Sequence, residues 1–190
     1  MKGFTMPLHN PDQTILAAKR LVDSNRRSEI RLNANGGNSI LIVCEPMEES
    51  DYVKAIYKLL PEENFEVIDL NKLLVEFVSN NKEELEFSFE LLKGSIHQIF
   101  KTPDGEDGND LFGLIIRTIQ KCLDDNKIPV LIHSGALYGS GIDNIHLMEN
   151  EMIMKATAPL LILYPATRDG EKLLFLSKRP ASRYRCIIVD

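Results

Sequence analysis

The chain has 190 residues, the size of one domain, and its 44% hydrophobic and 26% charged residues are typical of a globular protein with a sizeable core. No apolar run approaches the ~20 residues that cross a bilayer, and the first residues lack a signal-peptide pattern, so we expect a cytoplasmic protein without membrane contact. Residues 36–110 carry 6 basic and 17 acidic side chains, which argues against a protein that wraps nucleic acid over its whole surface.

Helix and strand patterns alternate through the first half of the chain. Apolar residues among basic ones over 11–33 predict an amphipathic helix, with Asn10 as its cap and Pro11 at its first position. The run Ser39–Cys44 is short, apolar and β-branched, which predicts a strand buried on both faces. The elements expected next are a helix over 48–60, a strand over 65–70, helices over 70–78 and 82–101, and a loop over 101–110.

In the second half the alternation continues until the last strands, which have no helices between them. The expected elements are a helix over 110–125, a strand over 128–133, a helix over 143–156, and strands over 159–164, 173–176 and 185–189. This order predicts an α/β three-layer sandwich with a mostly parallel central sheet of about five to six strands, antiparallel at its C-terminal edge. We expect residues 1–190 to form a single domain, with residues 1–35 as a helical segment packed on it.

The turn after the first predicted strand lacks what a phosphate-binding loop requires. Such a loop needs glycine-rich backbone at a helix N-terminus and a lysine that reaches the phosphates. Residues 44–51 contain neither glycine nor lysine, and Glu48, Glu49 and Asp51 would cap the helix themselves and repel a phosphate. The fold is therefore predicted to be P-loop-like but degenerate, without a phosphate-binding loop.

A glycine-rich stretch follows the strand over 128–133, and this is the second place where a ligand site is conceivable. Gly135, Gly139 and Gly141 come after the carboxyl end of that strand, at the edge where parallel sheets bind ligands. Their spacing matches no phosphate-binding motif. The two readings are a ligand loop and a strand-to-helix connection that uses glycine at positive φ.

Catalytic and metal motifs fail on particular residues. Ser134 lies beside His133, but a nucleophile elbow needs glycine two residues before the serine, and Ile132 is there. The four histidines lack metal-ligand spacing, so we expect no metal, no cofactor and no catalytic residue. The three scattered cysteines predict buried free thiols of a reducing compartment.

Basic side chains are concentrated towards the C-terminus. A solvated edge hairpin, an acidic protein partner and a phosphate backbone each account for them. The chain has no tryptophan, and its aromatic residues are not interleaved with a basic stripe, which weakens binding of single strands by base stacking. The basic residues are Arg168, Lys172, Lys178, Arg179, Arg183 and Arg185.

Roughly the last sixty residues carry a resemblance to a known family. Residues 130–138 read VLIHSGALY, residues 159–165 form a proline-led apolar run ending in Tyr-Pro, and Asp169-Gly170 precedes Tyr184-Arg185. In order and spacing these pieces resemble the BrxB family, a domain of unknown function encoded in bacterial BREX (bacteriophage exclusion) operons. Residues 139–142 stand where the family commonly has Pro-Phe and an arginine, and Ala166 where it often has glycine, so the chain resembles a divergent member.

The resemblance implies a non-enzymatic adaptor of a BREX-type anti-phage defence complex. The partner that it implies first is an alkaline-phosphatase-like PglZ protein, beside an AAA+ ATPase and a DNA methyltransferase, with DNA contacted only locally. Two alternatives stay open: a nucleotide- or small-molecule-binding α/β domain, with or without enzymatic activity, that uses the loop after His133, and a DNA-binding accessory protein that uses the basic C-terminal hairpin. The residues expected at the contact surface are Gly135, Tyr138, Gly139, Gly141, Arg168, Arg183, Tyr184 and Arg185.

Overall fold

The structure, a computed structural model, describes residues 10–23, 27–95, 97–102, 109–170, 172–181 and 184–190. Within these ranges a seven-stranded sheet lies between two layers of helices. The α/β three-layer sandwich with a mostly parallel sheet is therefore confirmed. In chain order the strands are β1 (Ser39–Cys44), β2 (Phe65–Asp69), β3 (Ile128–Ile132), β4 (Leu160–Asp169), β5 (Lys172–Phe175), β6 (Arg179–Pro180) and β7 (Ile187–Val189).

Five of these strands are parallel and lie in the order β2-β3-β4-β1-β7. The predicted antiparallel pairing is present in β5 and β6, which form a hairpin on the second half of β4. The final strand differs from the expectation, because β7 runs parallel to β1, with Ile187 opposite Ile40. The chain returns from the hairpin to the amino end of β1 before β7 begins, so both strands run in the same direction.

Helices cover both faces of the sheet and divide the apolar residues into two cores. On one face, α1 and α3 pack against side chains such as Ile40 and Ile42 of β1. On the other face, α4 and α7 pack against Leu41 and Val43 of the same strand. In the described chain the helices are α1 (Pro11–Val22), α2 (Arg27–Asn33), α3 (Glu49–Leu59), α4 (Leu70–Asn80), α5 (Lys82–Leu91), α6 (His97–Phe100), α7 (Leu111–Asp124), α8 (Asn144–Met148) and α9 (Glu151–Lys155).

Three predicted helices are each divided into two. The start of the first is as expected, because Asn10 accepts a hydrogen bond from the backbone of Asp12 and Pro11 is the first helical residue. It ends at Val22, and Asp23 is extended. The predicted helix over 82–101 is interrupted by a turn after Leu92, and the one over 143–156 by Asn150, whose side chain caps α9.

The loop predicted over 101–110 lies partly outside the described residues, which omit 103–108. Its two described ends are joined, because the backbone N–H of Thr102 donates to Oδ2 of Asp110 at 2.5 Å. The other carboxylate oxygen of Asp110 accepts from the backbone of Gly113 at 2.7 Å and caps α7. One buried carboxylate thus closes the loop and begins the following helix.

Asn38 fixes the amino end of the sheet. Its side chain is buried, and Nδ2 donates to the carbonyl oxygens of Ile153 and Ala156, both at 2.9 Å, and of Ala158 at 3.1 Å. Its own carbonyl accepts from the backbone N–H of Leu160 at 3.0 Å. Because buried backbone carbonyls need partners, this amide holds the segment that leads into β4 beside β1.

We expect Gly37→Ala to lower the free energy of unfolding by about 1–3 kcal/mol, the usual cost of overpacking. A Cβ at this position would lie 1.8 Å from the carbonyl oxygen of Arg185, and backbone on both sides leaves little room to shift. Gly94→Ala is the matched control, since a Cβ there meets nothing within 4 Å. Urea unfolding of both variants measures the difference, and equal stabilities would contradict the contact.

Candidate functional site

Two adjacent strands end in titratable side chains at the carboxyl edge of the sheet. Asp69 is the last residue of β2, and His133 follows directly after β3. The parallel register places Asp69 opposite Ile132, and Nδ1 of His133 lies 2.9 Å from Oδ1 of Asp69. This is the edge at which α/β sheets bind their ligands.

Asp69 serves both the helix after it and the histidine beside it. Its carboxylate also accepts hydrogen bonds from the backbone N–H groups of Asn71 at 3.0 Å and Lys72 at 3.2 Å, so it caps α4. Burial alone would raise the pKa of Asp69, but the hydrogen bonds from His133 and from the helix backbone outweigh burial and hold this pKa below its usual range. The carboxylate therefore favours the His133 tautomer that carries its proton on Nδ1, which leaves Nε2 as an acceptor.

A third titratable group approaches the same histidine from the other helical layer. Glu49 is the first residue of α3, and its carboxyl group accepts a hydrogen bond from the backbone N–H of His133. Burial raises the pKa of Glu49, with His133 acting in the opposite direction. Oε1 of Glu49 is buried and has no hydrogen-bond partner among the described residues. The predicted self-capping of this turn is accordingly not seen, since the side chain faces His133.

The backbone of His133 is in the left-handed region, with φ of 57°. Non-glycine residues adopt this conformation rarely, and such outliers concentrate at functional sites. Nε2 of His133, whose ring is oriented by Asp69, and the carboxyl group of Glu49 are the two kinds of group that proton transfer uses. We call Glu49, Asp69 and His133 the carboxyl-edge cluster.

The serine and the cysteine beside this cluster are both committed to the core. Oγ of the fully buried Ser134 donates to the carbonyl oxygen of Leu163 at 2.9 Å, so the hydroxyl is committed to the sheet. Cys44 is buried, and burial together with the nearby glutamates raises its pKa, which makes it unreactive. In the ranges that the structure describes, no group of three or more His, Cys, Asp or Glu side chains is arranged to hold a metal ion.

All three cysteines are free thiols, as the sequence predicted. Cys44 and Cys122 are buried and Cys186 is half-buried. Burial raises the pKa of Cys122 and of Cys186 to about 12. The predicted free thiols are therefore structural residues of the two cores rather than reactive groups.

The three glycines of the predicted site form the turn after β3. Gly139 and Gly141 have φ of +86° and +82°, which confirms the expected use of positive φ. A Cβ on Gly141 would lie 2.8 Å from Cβ of His97, and a Cβ on Gly135 would lie 3.2 Å from a methyl group of Leu176. These glycines allow close packing of the turn, and their role in binding stays a prediction.

The structure brings two of the predicted tyrosines to one small cavity. The hydroxyl of Tyr184 lies 3.1 Å from that of the buried Tyr164, and the half-exposed Tyr138 lines the same cavity. Gly135 approaches this region through Leu176. Tyr138 and Tyr184 therefore line one cavity, and their role at a contact surface stays a prediction.

The two predicted arginines that the structure describes do not meet at that surface. Arg168 forms an ion pair with Asp190, which follows β7, and Nε of Arg185, before β7, lies 3.4 Å from Oε1 of Glu149. Because β7 lies between them, the two arginines belong to opposite ends of the strand. Arg183 is outside the described residues.

A surface that the sequence reading missed is formed by α4 and α5. Several large apolar side chains are exposed there, with Phe87 at 66% and Leu91 at 67% of their full accessibility. The sequence of α5 identifies its buried side only weakly. After the inward-facing Leu85, the apolar residues Phe87, Phe89 and Leu91 recur at every second position, whereas one face of a helix repeats every three or four residues. Exposure of these residues became visible only in the packed structure.

Comparison with known proteins gives no match: no family model fits the sequence, and no curated protein or solved structure is significantly similar to it. The resemblance to the BrxB family therefore stays a prediction. Among the helices of the described ranges, not one combines the length and the apolar character that a bilayer span needs.

We expect Asp69→Asn and Glu49→Gln to change stability in opposite directions at pH 7. The lowered pKa of Asp69 means that its carboxylate stabilises the fold above the ordinary value near 4, and that this contribution is lost as the pH falls through the folded value. Asparagine keeps the helix cap, so the loss at pH 7 reflects the His133 contact and amounts to about 1 kcal/mol.

The raised pKa of Glu49 has the reverse sign. Its folded state prefers the protonated group, so the carboxylate costs stability at neutral pH, and Glu49→Gln is expected to be more stable than the wild type there. Below the ordinary pKa near 4.3 this difference should disappear. Urea unfolding from pH 3 to pH 8 measures both effects, and a shift of the same sign at pH 7 for the two variants would contradict the assigned cluster.

Proposed function

We propose that the protein is a non-enzymatic adaptor of a bacterial BREX-type anti-phage defence complex in the cytoplasm. The defence context rests on the sequence resemblance, and the adaptor role rests on the exposed apolar surface of α4 and α5. Five large apolar side chains are exposed on these two neighbouring helices, and surfaces rich in exposed apolar side chains mark interaction sites. Its apolar side chains are Val75, Val78, Phe87, Phe89 and Leu91.

The two most exposed members of this surface lie on one side of α5. Phe87 and Leu91 are four residues apart and so are neighbours along one helix face. The helix is held from its other side by the buried Leu85, and Phe89 is fixed by an edge contact with Phe100 at a ring distance of 6.3 Å. A rigid aromatic and aliphatic pair on an anchored helix is typical of a binding hot spot.

The charged side chains near Phe87 and Leu91 indicate which kind of partner surface would be complementary. Three glutamates, Glu83, Glu86 and Glu90, and one basic residue, Lys93, line the groove that contains Phe87 and Phe89. A partner surface with an apolar centre and a basic rim is complementary to it. We infer that the direct partner is a PglZ-type alkaline-phosphatase-like protein, with the AAA+ ATPase and the DNA methyltransferase as further members of the complex.

The ion pairs of the C-terminal residues favour this function over DNA binding. Arg168, Arg179 and Arg185 each contact a carboxylate of the same chain. A phosphate backbone would have to compete with those carboxylates for the guanidinium groups. The border of the α5 groove also contains an ion pair, between Lys82 and Glu86 at 4.0 Å, but its three glutamates outnumber Lys82 and Lys93 and keep it acidic.

Replacement of Phe87 and Leu91 by alanine together is expected to weaken binding to the PglZ-type protein by at least about 2 kcal/mol, roughly thirtyfold in Kd. The double variant Leu32→Ala with Tyr57→Ala is the matched control, because these side chains are 79% and 57% exposed and lie away from the groove. Calorimetry with purified proteins measures Kd. Separate migration of the two wild-type proteins at micromolar concentration, or equal weakening by both double variants, would contradict the proposal.

The contact between His133 and Asp69 favours a second candidate function. We propose that the carboxyl-edge cluster binds a small molecule and exchanges a proton with it, since a histidine oriented by a carboxylate is a common general base. The carboxyl groups of Glu49 and Asp69 beside His133 favour a neutral or cationic ligand over a phosphate.

A thermal-shift screen of nucleotides, neutral metabolites and amines tests this function. A ligand at 100 times its Kd should stabilise the wild type by about 2.7 kcal/mol. His133→Asn should abolish the shift, because asparagine tolerates left-handed φ but supplies no imidazole. Phe87→Ala should retain it, and a flat screen would overturn this second function without touching the adaptor proposal.

A further inference from the structure

Aromatic rings surround a small cavity between the turn after β3 and the β5–β6 hairpin. Tyr164 stacks on Phe175 with ring centres 4.9 Å apart and meets the edge of Tyr184 at 5.8 Å. Tyr138 lines the cavity beside them. We call this space, which has a volume of about 20 Å³, the tyrosine cavity.

Two side chains at the tyrosine cavity, Asn144 and Asp143, carry acceptor oxygens. Asn144 is only 5% exposed, and its Oδ1 is buried without a hydrogen-bond partner among the described residues. The carboxylate of Asp143 lines the same space. A buried acceptor that is left unpaired costs free energy, so this site favours a group that brings N–H donors.

Tyrosine ring faces supply a second attraction for such a group. Burial and the hydrogen bond between the hydroxyls of Tyr164 and Tyr184 raise the pKa of Tyr164, so its phenol is neutral near pH 7. A cation within about 6 Å of a tyrosine ring centre is attracted by the ring quadrupole. The tyrosine rings and the acceptor oxygens therefore both favour a ligand group that is cationic and carries N–H donors.

We propose that the tyrosine cavity binds a primary ammonium group, as carried by a lysine side chain or a small amine. The volume sets the size of the bound group: a space that holds about one water molecule also holds an ammonium head, whereas a guanidinium group is larger. The acceptors that we assign to it are Oδ1 of Asn144 and the carboxylate of Asp143, and Tyr164 and Tyr184 line the same cavity.

Arg179 of β6 already binds one of the acceptors of this site, the carboxylate of Asp143. Its Nη1 and Nη2 donate to the two carboxylate oxygens of Asp143 at 2.6 Å and 2.9 Å, and its side chain is more than half exposed. The guanidinium group thus occupies the carboxylate that an ammonium ligand would use, and adds a like charge beside it. Binding requires Arg179 to release Asp143, which it can do towards solvent.

Removal of this internal competitor should therefore increase affinity. Butylammonium chloride is titrated into the wild type, Arg179→Gln and Asn144→Leu, and the tyrosine ring resonances are followed by NMR. We expect saturable binding, about tenfold tighter for Arg179→Gln because the competent state is then populated without displacement, and lost for Asn144→Leu. Butanol at equal concentration and sodium chloride at equal ionic strength are the matched controls.

One further variant and one further probe make the outcome decisive. Asn144→Asp keeps the acceptor and the shape, so it should bind butylammonium at least as tightly as the wild type even if Asn144→Leu fails to fold. A blocked lysine amide should bind like butylammonium if a protein side chain is the source, and more weakly than butylammonium if a free amine is. Absence of saturation in both the wild type and Arg179→Gln, or equal response to butanol, would overturn the site and leave a water-sized cavity only. These measurements use residues outside the α5 groove, so they are independent of the adaptor proposal.

Discussion

The length of β4 is the constraint on which the rest of the structure depends. Its first six residues pair with β1, two of them also with β3, and residues 160–166 are buried, so this half has no contact with water. The strand then continues past Pro165, where proline offers no N–H and its carbonyl accepts from Leu176 of the hairpin. Beyond that point the backbone of β4 finds its partner in β5. The hairpin is thereby placed over the carboxyl edge, where it closes the tyrosine cavity and carries Arg179.

The sheet separates the two candidate sites at this edge. Glu49 comes from α3, which packs in the core with α1, whereas Tyr164 belongs to the opposite core with α4 and α7. His133 lies near the boundary, with its side chain towards Asp69 and its peptide N–H towards Glu49. Ser134, the next residue, lines the tyrosine cavity. The carboxyl end of β3 therefore supplies groups to both sites. The left-handed backbone of His133 turns the chain there, so that His133 and Ser134 belong to different sites.

Local patterns identified the strands β1 and β3 and the cap of α1, because β-branched runs and Asn-Pro signals act over a few residues. They did not identify the direction of β7, which depends on how the chain returns past Gly37. The contact between Asp69 and His133 needed the strand order, since these residues are 64 positions apart. The exposure of Phe87 and the unpaired oxygen of Asn144 depend on which residues surround each side chain in the folded protein. The spacing of hydrophobic residues in the sequence does not reveal those neighbours.

The strand order also determines when the protein can fold during synthesis. Both neighbours of β1 come from the far end of the chain: Ser39 is paired with Leu160, about 120 residues later, and Ile40 with Ile187. Pairing of parallel strands that are far apart in the sequence loses the entropy of closing a large loop before the contacts between the strands can stabilise it. A ribosome-bound chain therefore emerges with its most apolar strand unpaired until β4 has left the exit tunnel. For most of translation, protection of Ser39–Cys44 from aggregation falls to chaperones rather than to the sheet itself.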